Sequence, residues 1–248
     1  MKFYNCVALQ VNTGDLRENE ANVRTALEKK PDLIELRFDY IDNVQDITRD
    51  LLEHLLSIIQ PKIPAIFTLR DSSEGGQMAI PEEERLAVLK ILINAQPRYF
   101  DIEMITPYEI LSEIINLAVH NNVILIFSYH NFEQTFTYEK SVELVEAFLN
   151  KLCDNVDSKI VEESVYKIIF TAKKFEDNLV PIKLCRTYSQ KGYRIISFCM
   201  EAPGILSRVA CVMAGAFFTY ASLEEKTAPG QLSLEELKEF QQMLFDKS

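Results

Sequence analysis

Short apolar runs alternate along the chain with segments whose apolar residues recur at helical spacing. Runs rich in Val, Ile, Phe and Tyr predict buried strands, and the longer amphipathic segments predict helices. The predicted strands cover residues 3–11, 32–38, 62–70, 98–104, 122–130, 163–171, 193–200 and 216–221. The predicted helices cover residues 15–29, 47–59, 81–95, 107–120, 139–151, 174–190, 204–213 and 232–245.

Eight strand–helix repeats within 248 residues favour one architecture. A closed (β/α)8 barrel needs eight such repeats at about this length. An open doubly wound sheet is the alternative, but it usually has fewer strands and often begins with a glycine-rich turn. The chain has seven glycines and no GxGxxG motif. We therefore predict an α/β fold, a (β/α)8 TIM barrel, as a single domain over residues 1–248.

Composition narrows the classes of partner and compartment. The net charge of -11 argues against nucleic acid and membrane surfaces, which are themselves polyanions, yet a local group of cations still suits a small anionic substrate. Five widely spaced cysteines without a CxxC motif predict reduced thiols in a cytoplasmic protein. The apolar start is too short for a signal peptide or membrane span. No metal-binding motif is visible, so no metal site is expected.

Ionisable residues recur near the carboxyl ends of the predicted strands. Alternation along a strand places them on the face opposite the apolar, helix-facing side chains. Active sites of (β/α)8 barrels are built at that end of the strands. We therefore expect six of these side chains to converge on one mouth of the barrel. They are Glu35, Arg37, Arg70, Glu103, His130 and Lys167.

Each of these residues also has a purely structural interpretation. A lone lysine such as Lys167 is often a strand-end residue that reaches water. Glu103 could form an ion pair with Arg70, and Glu35 could form one with Arg37. The structural interpretations are less plausible for the whole set than for any one residue, because unrelated structural charges would not all lie at the same end of successive strands.

The residue types indicate a chemistry. Burial favours the neutral amine of Lys167, which can attack a ketone and form a Schiff base. His130, which alone could be a core histidine, can remove a proton from the adjacent carbon and return it to a leaving group. Glu103 can orient that imidazole. Arginines can bind a substrate carboxylate. This set indicates dehydration or aldol cleavage next to a ketone.

Seven segments of the chain form a recognisable series. They are IELRFDY, IFTLRDSSEGGQ, FDIEM, IFSYHNF, VYKIIFTAK, ISFCMEAPGILSRV and TAPGQLS. Each is weak alone, but their joint order is specific and resembles the type I 3-dehydroquinate dehydratase family of the shikimate pathway, which leads to chorismate and the aromatic amino acids. The resemblance implies a (β/α)8 lyase that removes water from 3-dehydroquinate to give 3-dehydroshikimate. It implies no cofactor, since an imine with Lys167 takes that role. Members are monomers or dimers, so a homodimer stays open.

The resemblance also implies roles for individual residues. Lys167 matches the Schiff-base lysine, His130 the general acid and base, and Glu103 the carboxylate that orients His130. Arg208 matches the arginine that binds the substrate carboxylate. The remaining residues that match the substrate pocket are Glu35, Arg37, Arg70, Phe132, Met200, Thr227 and Gln231. Thr227 stands where the family commonly has serine, with the hydroxyl retained. The EGG segment, residues 74–76, is interpreted as a flexible loop without a catalytic role or as a simple turn.

Two other functions are considered. A class I aldolase would share the fold and Lys167, but it usually needs a phosphate site after the seventh and eighth strands. Those loops carry Glu201, Glu224 and Glu225, which disfavour a phosphate. A catalytically inactive scaffold barrel would be expected to lack Lys167, His130 or Glu103, and all three are present.

Overall fold

The computed structural model describes residues 3–223 and 230–245. In these ranges the strands are β1 Asn5–Gln10, β2 Leu33–Arg37, β3 Ala65–Thr68, β4 Tyr99–Glu103, β5 Ile124–His130, β6 Val165–Thr171, β7 Arg194–Met200 and β8 Thr219–Ala221. The helices are α1 Leu16–Glu28, α2 Arg49–Ile59, α3 Glu82–Asn94, α4 Tyr108–His120, α5 Tyr138–Cys153, α6 Ser158–Glu163, α7 Leu179–Gln190, α8 Ile205–Ala210 and α9 Leu234–Phe245. Every predicted strand and helix overlaps an observed one.

Helix α6 is absent from the prediction, which began a strand at residue 163. Asp157 caps this short helix by accepting a hydrogen bond from the backbone N of Lys159 at 2.8 Å. Glu163 therefore ends a helix, and β6 begins two residues later at Val165. One helical turn carries too little periodicity for the sequence pattern to reveal it.

The helices that follow β6 and β7 are shorter than predicted. Residues Phe175–Asn178 form a 3-10 turn before α7, because Asp177 accepts the backbone N–H groups of Lys173 and Lys174 at 2.7 and 3.1 Å. Helix α8 ends at Ala210, and the chain then turns until Gly215, whose φ of +101° suits glycine. Asp177 thus shortens the start of α7, and the turn that ends at Gly215 follows a shortened α8, whereas apolar periodicity alone extends both helices.

Contacts divide the chain into two compact units. The first unit comprises residues 6–126, and the second comprises residues 1–5 and 127–248. In the first unit, β1 to β4 lie side by side in chain order and are parallel. The register places Arg37 beside Thr68 and Thr68 beside Asp101. Polar residues from three neighbouring strands therefore form one row.

An apolar core holds the strands of the first unit in place. Helix α2 buries Leu51, Leu52, Leu55, Leu56 and Ile59. Burial of an aliphatic side chain contributes about 1.5–3 kcal/mol. On the strand side, Phe38 and Phe67 meet edge-on with their ring centroids 4.9 Å apart. This packing holds the strands in place, and the strands in turn fix the positions of the polar residues at their ends.

In the second unit, β5, β6 and β7 lie side by side in chain order. Strands β6 and β7 are parallel, with Lys167 beside Ile196 and Thr171 beside Met200. Strand β8 joins the residues before β1, because Thr219 N donates to Tyr4 O at 3.1 Å. The prediction of a single domain over residues 1–248 stays a prediction. Across residues 3–223 and 230–245, no helix has both the length and the hydropathy to cross a membrane.

Candidate active site

A cluster of buried acids and arginines lies at the carboxyl ends of β2, β3 and β4 in the first unit. We call it the carboxylate cluster; its members are Glu35, Arg37, Asp39, Thr68, Arg70, Asp101 and Glu103. All are buried, and Glu103 is fully so. Buried charges are costly unless they are paired and hydrogen-bonded, so their partners decide what they can do.

Asp39 connects two strand ends with the loop after β3. Its two oxygens accept from Nε and Nη2 of Arg37, each at 2.8 Å. The same carboxylate accepts the backbone N–H groups of Arg70 and Gln77, both at 3.3 Å. Burial alone would lower the pKa of Arg37, but the bonds to Asp39 outweigh it and the pKa is raised. Arg37 is thus a fixed cation.

Arg70 is held by two acids at once. Its Nη1 donates to Glu103 at 2.6 Å and its Nη2 donates to Asp101 at 2.8 Å. Burial alone would lower the pKa of this guanidinium, but the two carboxylates, together with the nearby acids Glu74 and Glu35, outweigh burial and raise the pKa well above its usual value. The ion pair between Arg70 and Glu103 that the sequence suggested is confirmed. Asp101 of β4 is the second partner of Arg70.

Both oxygens of Glu103 are engaged within the first unit. One accepts from Arg70 and from the backbone N of Asp71, at 2.6 and 3.0 Å. The other accepts from Nη2 of Arg85 at 2.6 Å. Arg85 comes from α3, and the same nitrogen also donates to Leu69 O at 3.1 Å. The position and orientation of this carboxylate are therefore fixed by two arginines and a backbone amide.

Glu35 is fixed by a neighbouring strand. The hydroxyl of Thr68 donates to Glu35 Oε1 at 2.8 Å. Thr68 lies beside Arg37 in the sheet, so its side chain connects the acid of β2 with β3. Arg37, which the sequence suggested as a partner of Glu35, forms its bidentate pair with Asp39 instead.

The EGG segment forms a turn, which is one of its two predicted interpretations, and its glutamate is buried. Glu74 ends a 3-10 turn over Ser72–Glu74 and is 3% exposed. Gly75 follows with φ +84°. A Cβ atom at Gly76 would lie 2.0 Å from the backbone O of Arg70, so only glycine fits there. The loop is thus packed against the carboxylate cluster and adds a further acid near Arg70.

A cavity of about 190 Å³ lies beside this cluster, between α3 and the start of α4. Its lining includes Asp71, Glu82, Arg85, Glu103 and Thr106. Pockets for ligands usually measure about 300–1,000 Å³, so this cavity is small for a ring-sized substrate. We therefore assign it no substrate.

The second unit carries two cations that lie over aromatic rings. We call this group the cation–ring cluster; its members are Lys167, Phe198, Arg208 and Tyr220. Lys167 lies within β6 and is 5% exposed. Its Nζ is 4.4 Å from the centre of the Tyr220 ring. Cations are attracted to ring faces at such distances, and more so where water is excluded.

Arg208 lies in α8, and its Cζ is 4.3 Å from the centre of the Phe198 ring. The side chain is 1% exposed, and burial lowers its pKa to about 10. The guanidinium therefore remains charged at neutral pH. Thr219 fixes the backbone here by donating its hydroxyl to Arg208 O at 2.8 Å. A buried arginine of this kind is suited to binding a carboxylate.

The two rings contact one another. The centroids of Phe198 and Tyr220 are 6.2 Å apart, with an interplanar angle of 58°. Phe218 supports Tyr220 from another side, with centroids 5.4 Å apart. Both Phe198 and Tyr220 are almost fully buried. Lys167 and Arg208 are thus connected through two packed rings.

The other predicted residues of the second unit lie at strand and loop positions. His130 ends β5 and is half-buried, as the sequence predicted for its place at a strand end. Met200 ends β7 and is buried, and Gln231 is buried. Phe132 is 44% exposed. Thr227 lies outside the described residues.

Hydrogen bonds to β6 fix the segment that follows His130. Asn131 N donates to Ile169 O at 2.8 Å, and the hydroxyl of Thr171 donates to Asn131 O at 2.9 Å. The Asn131 side chain accepts the backbone N–H groups of Glu133 and Gln134, both at 2.9 Å. The end of β5 therefore has a defined position relative to the strand that carries Lys167.

Several residues that form these clusters or contact them are missing from the sequence prediction. Asp39 lies two residues beyond Arg37, so an extension of the alternation by one step would have found it. Arg85 lies in a charged helix start, where its long side chain gives no sign of reaching a strand end. Phe198 and Tyr220 read as ordinary core aromatics. Convergence of the six predicted side chains on one mouth stays a prediction.

Comparison with known proteins shows the family of the chain. Residues 6–248 match the family model of type I 3-dehydroquinase. The chain belongs to the type I 3-dehydroquinase family. A protein of Thermococcus onnurineus named 3-dehydroquinate dehydratase is 34% identical over 88% of this chain and 91% of its own length. One of Methanococcus maripaludis with the same name is 30% identical over 96% and 99%. The predicted resemblance and the predicted enzyme class, a carbon–oxygen lyase, are confirmed.

Solved structures agree with the predicted architecture. A 3-dehydroquinate dehydratase of Geobacillus kaustophilus superposes with a TM-score of 0.85, at 22% identity over all of this chain and 93% of that one. The enzyme of Aquifex aeolicus gives a TM-score of 0.75, at 26% identity over 98% and 100%. The prediction of a (β/α)8 TIM barrel is confirmed.

Proposed function

We propose that this member of the type I 3-dehydroquinase family removes water from 3-dehydroquinate to give 3-dehydroshikimate through a Schiff base on Lys167. The observation that carries the proposal is Lys167 itself, a buried lysine on β6 in a chain that matches the family over residues 6–248. Family membership favours this reaction over the aldolase and scaffold alternatives.

The reaction follows from the chemistry of the amine. Neutral Lys167 Nζ adds to the C3 ketone, and loss of water leaves an iminium that withdraws electrons from C2. His130 removes a proton from C2 and gives an enamine. The enamine expels the C1 hydroxyl, which takes a proton from His130 and leaves as water. Hydrolysis of the imine then releases 3-dehydroshikimate and restores Lys167.

Arg208 is proposed to bind the substrate carboxylate. Its guanidinium is buried and still charged at neutral pH, and a charge-assisted hydrogen bond is stronger away from water. The remaining residues proposed to surround the substrate are Glu35, Arg37, Arg70, Phe132, Met200, Thr227 and Gln231.

Two buried acids are candidates to orient His130. Glu103 is the predicted one, but both of its oxygens already accept hydrogen bonds from arginines. Glu74 is the second candidate, since it is buried in the loop that follows β3. Glu103→Gln and Glu74→Gln separate them, because loss of the orienting carboxylate should shift the pH–rate profile of His130. If a variant keeps the pH–rate profile of the wild type, the acid replaced in that variant does not orient His130.

No cofactor is proposed, because the imine with Lys167 supplies the electron sink. The proposed partner is a small molecule, with neither nucleic acid nor membrane as a partner and a homodimer as an expectation. The proposed compartment is the cytoplasm. Dialysis against a chelator should leave the dehydration rate unchanged, and a lost rate restored by a metal would contradict this proposal.

Borohydride trapping tests the function first. The protein is mixed with 3-dehydroquinate, reduced, and mapped by mass spectrometry. An adduct on Lys167 is expected, together with absorbance from the conjugated product before reduction. Lys167→Met should abolish both. Lys183→Met is the matched control, since Lys183 is an exposed lysine that also lies over a tyrosine ring, 3.7 Å from the Tyr138 centre. An adduct on another lysine would overturn the mechanism.

His130 is tested separately from Lys167. His130→Ala should stop the release of product and leave the trapped adduct in place, because the imine forms before the C2 proton is removed. Dehydration at the wild-type rate by this variant would exclude His130 as the acid and base. Cleavage of a carbon–carbon bond by the wild type would favour the aldolase alternative.

A further inference from the structure

Two aromatic rings of the cation–ring cluster have no part in the proposed reaction steps, yet they contact the two cations on which those steps depend. We propose that Tyr220 and Phe198 are positioning residues: Tyr220 sets the position of Lys167, Phe198 sets that of Arg208, and the contact between the rings couples the two. The inference rests on the proposed function. If the two rings fix the two cations, the ring pair determines specificity for a substrate that carries both a ketone and a carboxylate.

Each ring meets its cation at close range. Lys167 Nζ lies 4.4 Å from the Tyr220 centre, and Arg208 Cζ lies 4.3 Å from the Phe198 centre. Both distances fall within the range of about 6 Å over which a ring attracts a cation. All four side chains are at most 5% exposed, so water screens these attractions little. Each attraction therefore restricts where its cation rests.

The rings themselves have little freedom to move. Phe198 belongs to β7, and Tyr220 belongs to β8, where Phe218 also contacts it. Aromatic side chains have two rotatable bonds, whereas lysine and arginine have at least four. A long cationic side chain loses much conformational entropy when its position is fixed. If a packed ring already restricts that side chain, substrate binding costs less conformational entropy.

The substrate chemistry explains why the spacing matters. The amine must reach a ketone carbon while the guanidinium holds a carboxylate of the same molecule. Misplacement of either group by about 1 Å can reduce the rate about a hundredfold. A ring pair that fixes both cations would select ketones whose carboxylate lies at the matching distance. The positioning of Lys167 should affect the chemical step, and that of Arg208 should affect binding.

Leucine variants of the two rings test the inference, because one variant should affect mainly kcat and the other mainly KM. Tyr220→Leu is expected to lower kcat about tenfold and to change KM less than threefold. Phe198→Leu is expected to raise KM about tenfold and to change kcat less than threefold. In trapping experiments, Tyr220→Leu should slow adduct formation at saturating 3-dehydroquinate. Phe198→Leu should instead raise the concentration needed for half-maximal adduct. Tyr138→Leu, beside exposed Lys183, is the matched control and should change neither constant.

The two effects should also be coupled, because the rings touch. The double variant is expected to lose less than the product of the two single losses. A general structural weakening would lower kcat and raise KM together in both variants, and it would overturn the inference. Unchanged kinetics in a folded Tyr220→Leu would do the same. A wild-type protein that forms no adduct at all would instead overturn the proposed function.

A second series keeps the test decisive if a leucine variant does not fold. Position 220 is replaced with phenylalanine and then with phenylalanines that carry one, two and three ring fluorines. Fluorine weakens the negative ring face at nearly constant size, so kcat should fall stepwise along the series. Phenylalanine itself should stay within about threefold of the wild type. A constant kcat across the folded series would show that the ring face does not position Lys167.

Discussion

Arg70 and Arg208 are both buried arginines, but their surroundings act on their charge in opposite ways. In the first unit, Asp101 and Glu103 raise the pKa of Arg70 well above its usual value despite burial. In the second unit, burial lowers the pKa of Arg208 to about 10. The direction of a pKa shift reports whether folding favours the charged form. The fold thus stabilises the cation of Arg70 and disfavours that of Arg208.

This contrast separates a cation that folding stabilises from one that folding disfavours. Hydrogen bonds from Arg70 to two carboxylates connect the loop after β3 with β4, so its charge stabilises the fold. The charge of Arg208 costs stability at neutral pH, and the cost is relieved only as the pH rises above about 10. A bound carboxylate would relieve the same cost. A buried cation that folding disfavours is typical of a functional site.

The largest expected difference comes from matched methionine variants. Arg70→Met should lower the free energy of unfolding by about 3–5 kcal/mol, because it leaves the buried acids Asp101 and Glu103 short of a partner. Arg208→Met should lower it by less, since an apolar chain of similar length replaces a charge that burial disfavours. Urea denaturation of both variants measures the two values. Equal losses would remove the distinction between the two arginines.

Asp39→Ala tests whether the carboxylate cluster holds together as a network. The change removes both bonds from Arg37 and leaves that guanidinium buried, so a loss of about 3 kcal/mol is expected. Asp39→Asn, which retains one acceptor oxygen, should lose less. Glu53→Ala is the surface control, because Glu53 pairs with Arg49 on an exposed helix face. A loss no greater than in the control would mean that the pairs of this cluster contribute nothing.

Thr68→Val examines a single hydrogen bond within the same cluster. Valine has nearly the same shape but removes the donor to the buried carboxylate of Glu35, so about 1–3 kcal/mol should be lost. Thr25→Val is the control, because the hydroxyl of Thr25 bonds to Ala21 O on an exposed helix face. Thermal unfolding of the two variants should separate them. Identical midpoints would show that the bond of Thr68 is neutral.

The smallest effect is expected at the surface of the second unit. Hydrogen bonds from Lys191 and Tyr188 lower the pKa of Glu146 below 4.5. A carboxyl whose folded pKa is depressed contributes stability above its unfolded pKa and loses it as the pH falls through the folded value. Glu146→Gln should therefore lose slightly less stability than the wild type between pH 5 and pH 3. If the wild type and Glu146→Gln lose equal stability between pH 5 and pH 3, the hydrogen bonds to Glu146 do not stabilise the fold.

The sequence predicts features that depend on neighbouring residues along a strand, and it does not predict features that depend on how distant elements pack. Strand ends such as His130 and the glutamate of β4 follow from alternation, which is a local property. The pairing of Arg70 with Glu103 was predictable because both residues lie at ends of neighbouring strands. Arg85 was not, since its reach depends on how α3 packs. The rings under Lys167 and Arg208 were also invisible, because a buried aromatic has the same pattern whether it supports a cation or another apolar residue.

Asp39 has a consequence for how this chain can diverge. One carboxylate accepts hydrogen bonds from the side chain of Arg37, at the end of β2, and from the backbone amides of residues 70 and 77, in the loop that follows β3. A substitution in any of these segments changes the geometry that the other two require. The three positions should therefore drift together among descendants of this protein, so that a change tolerated in one lineage would be harmful when moved alone into another.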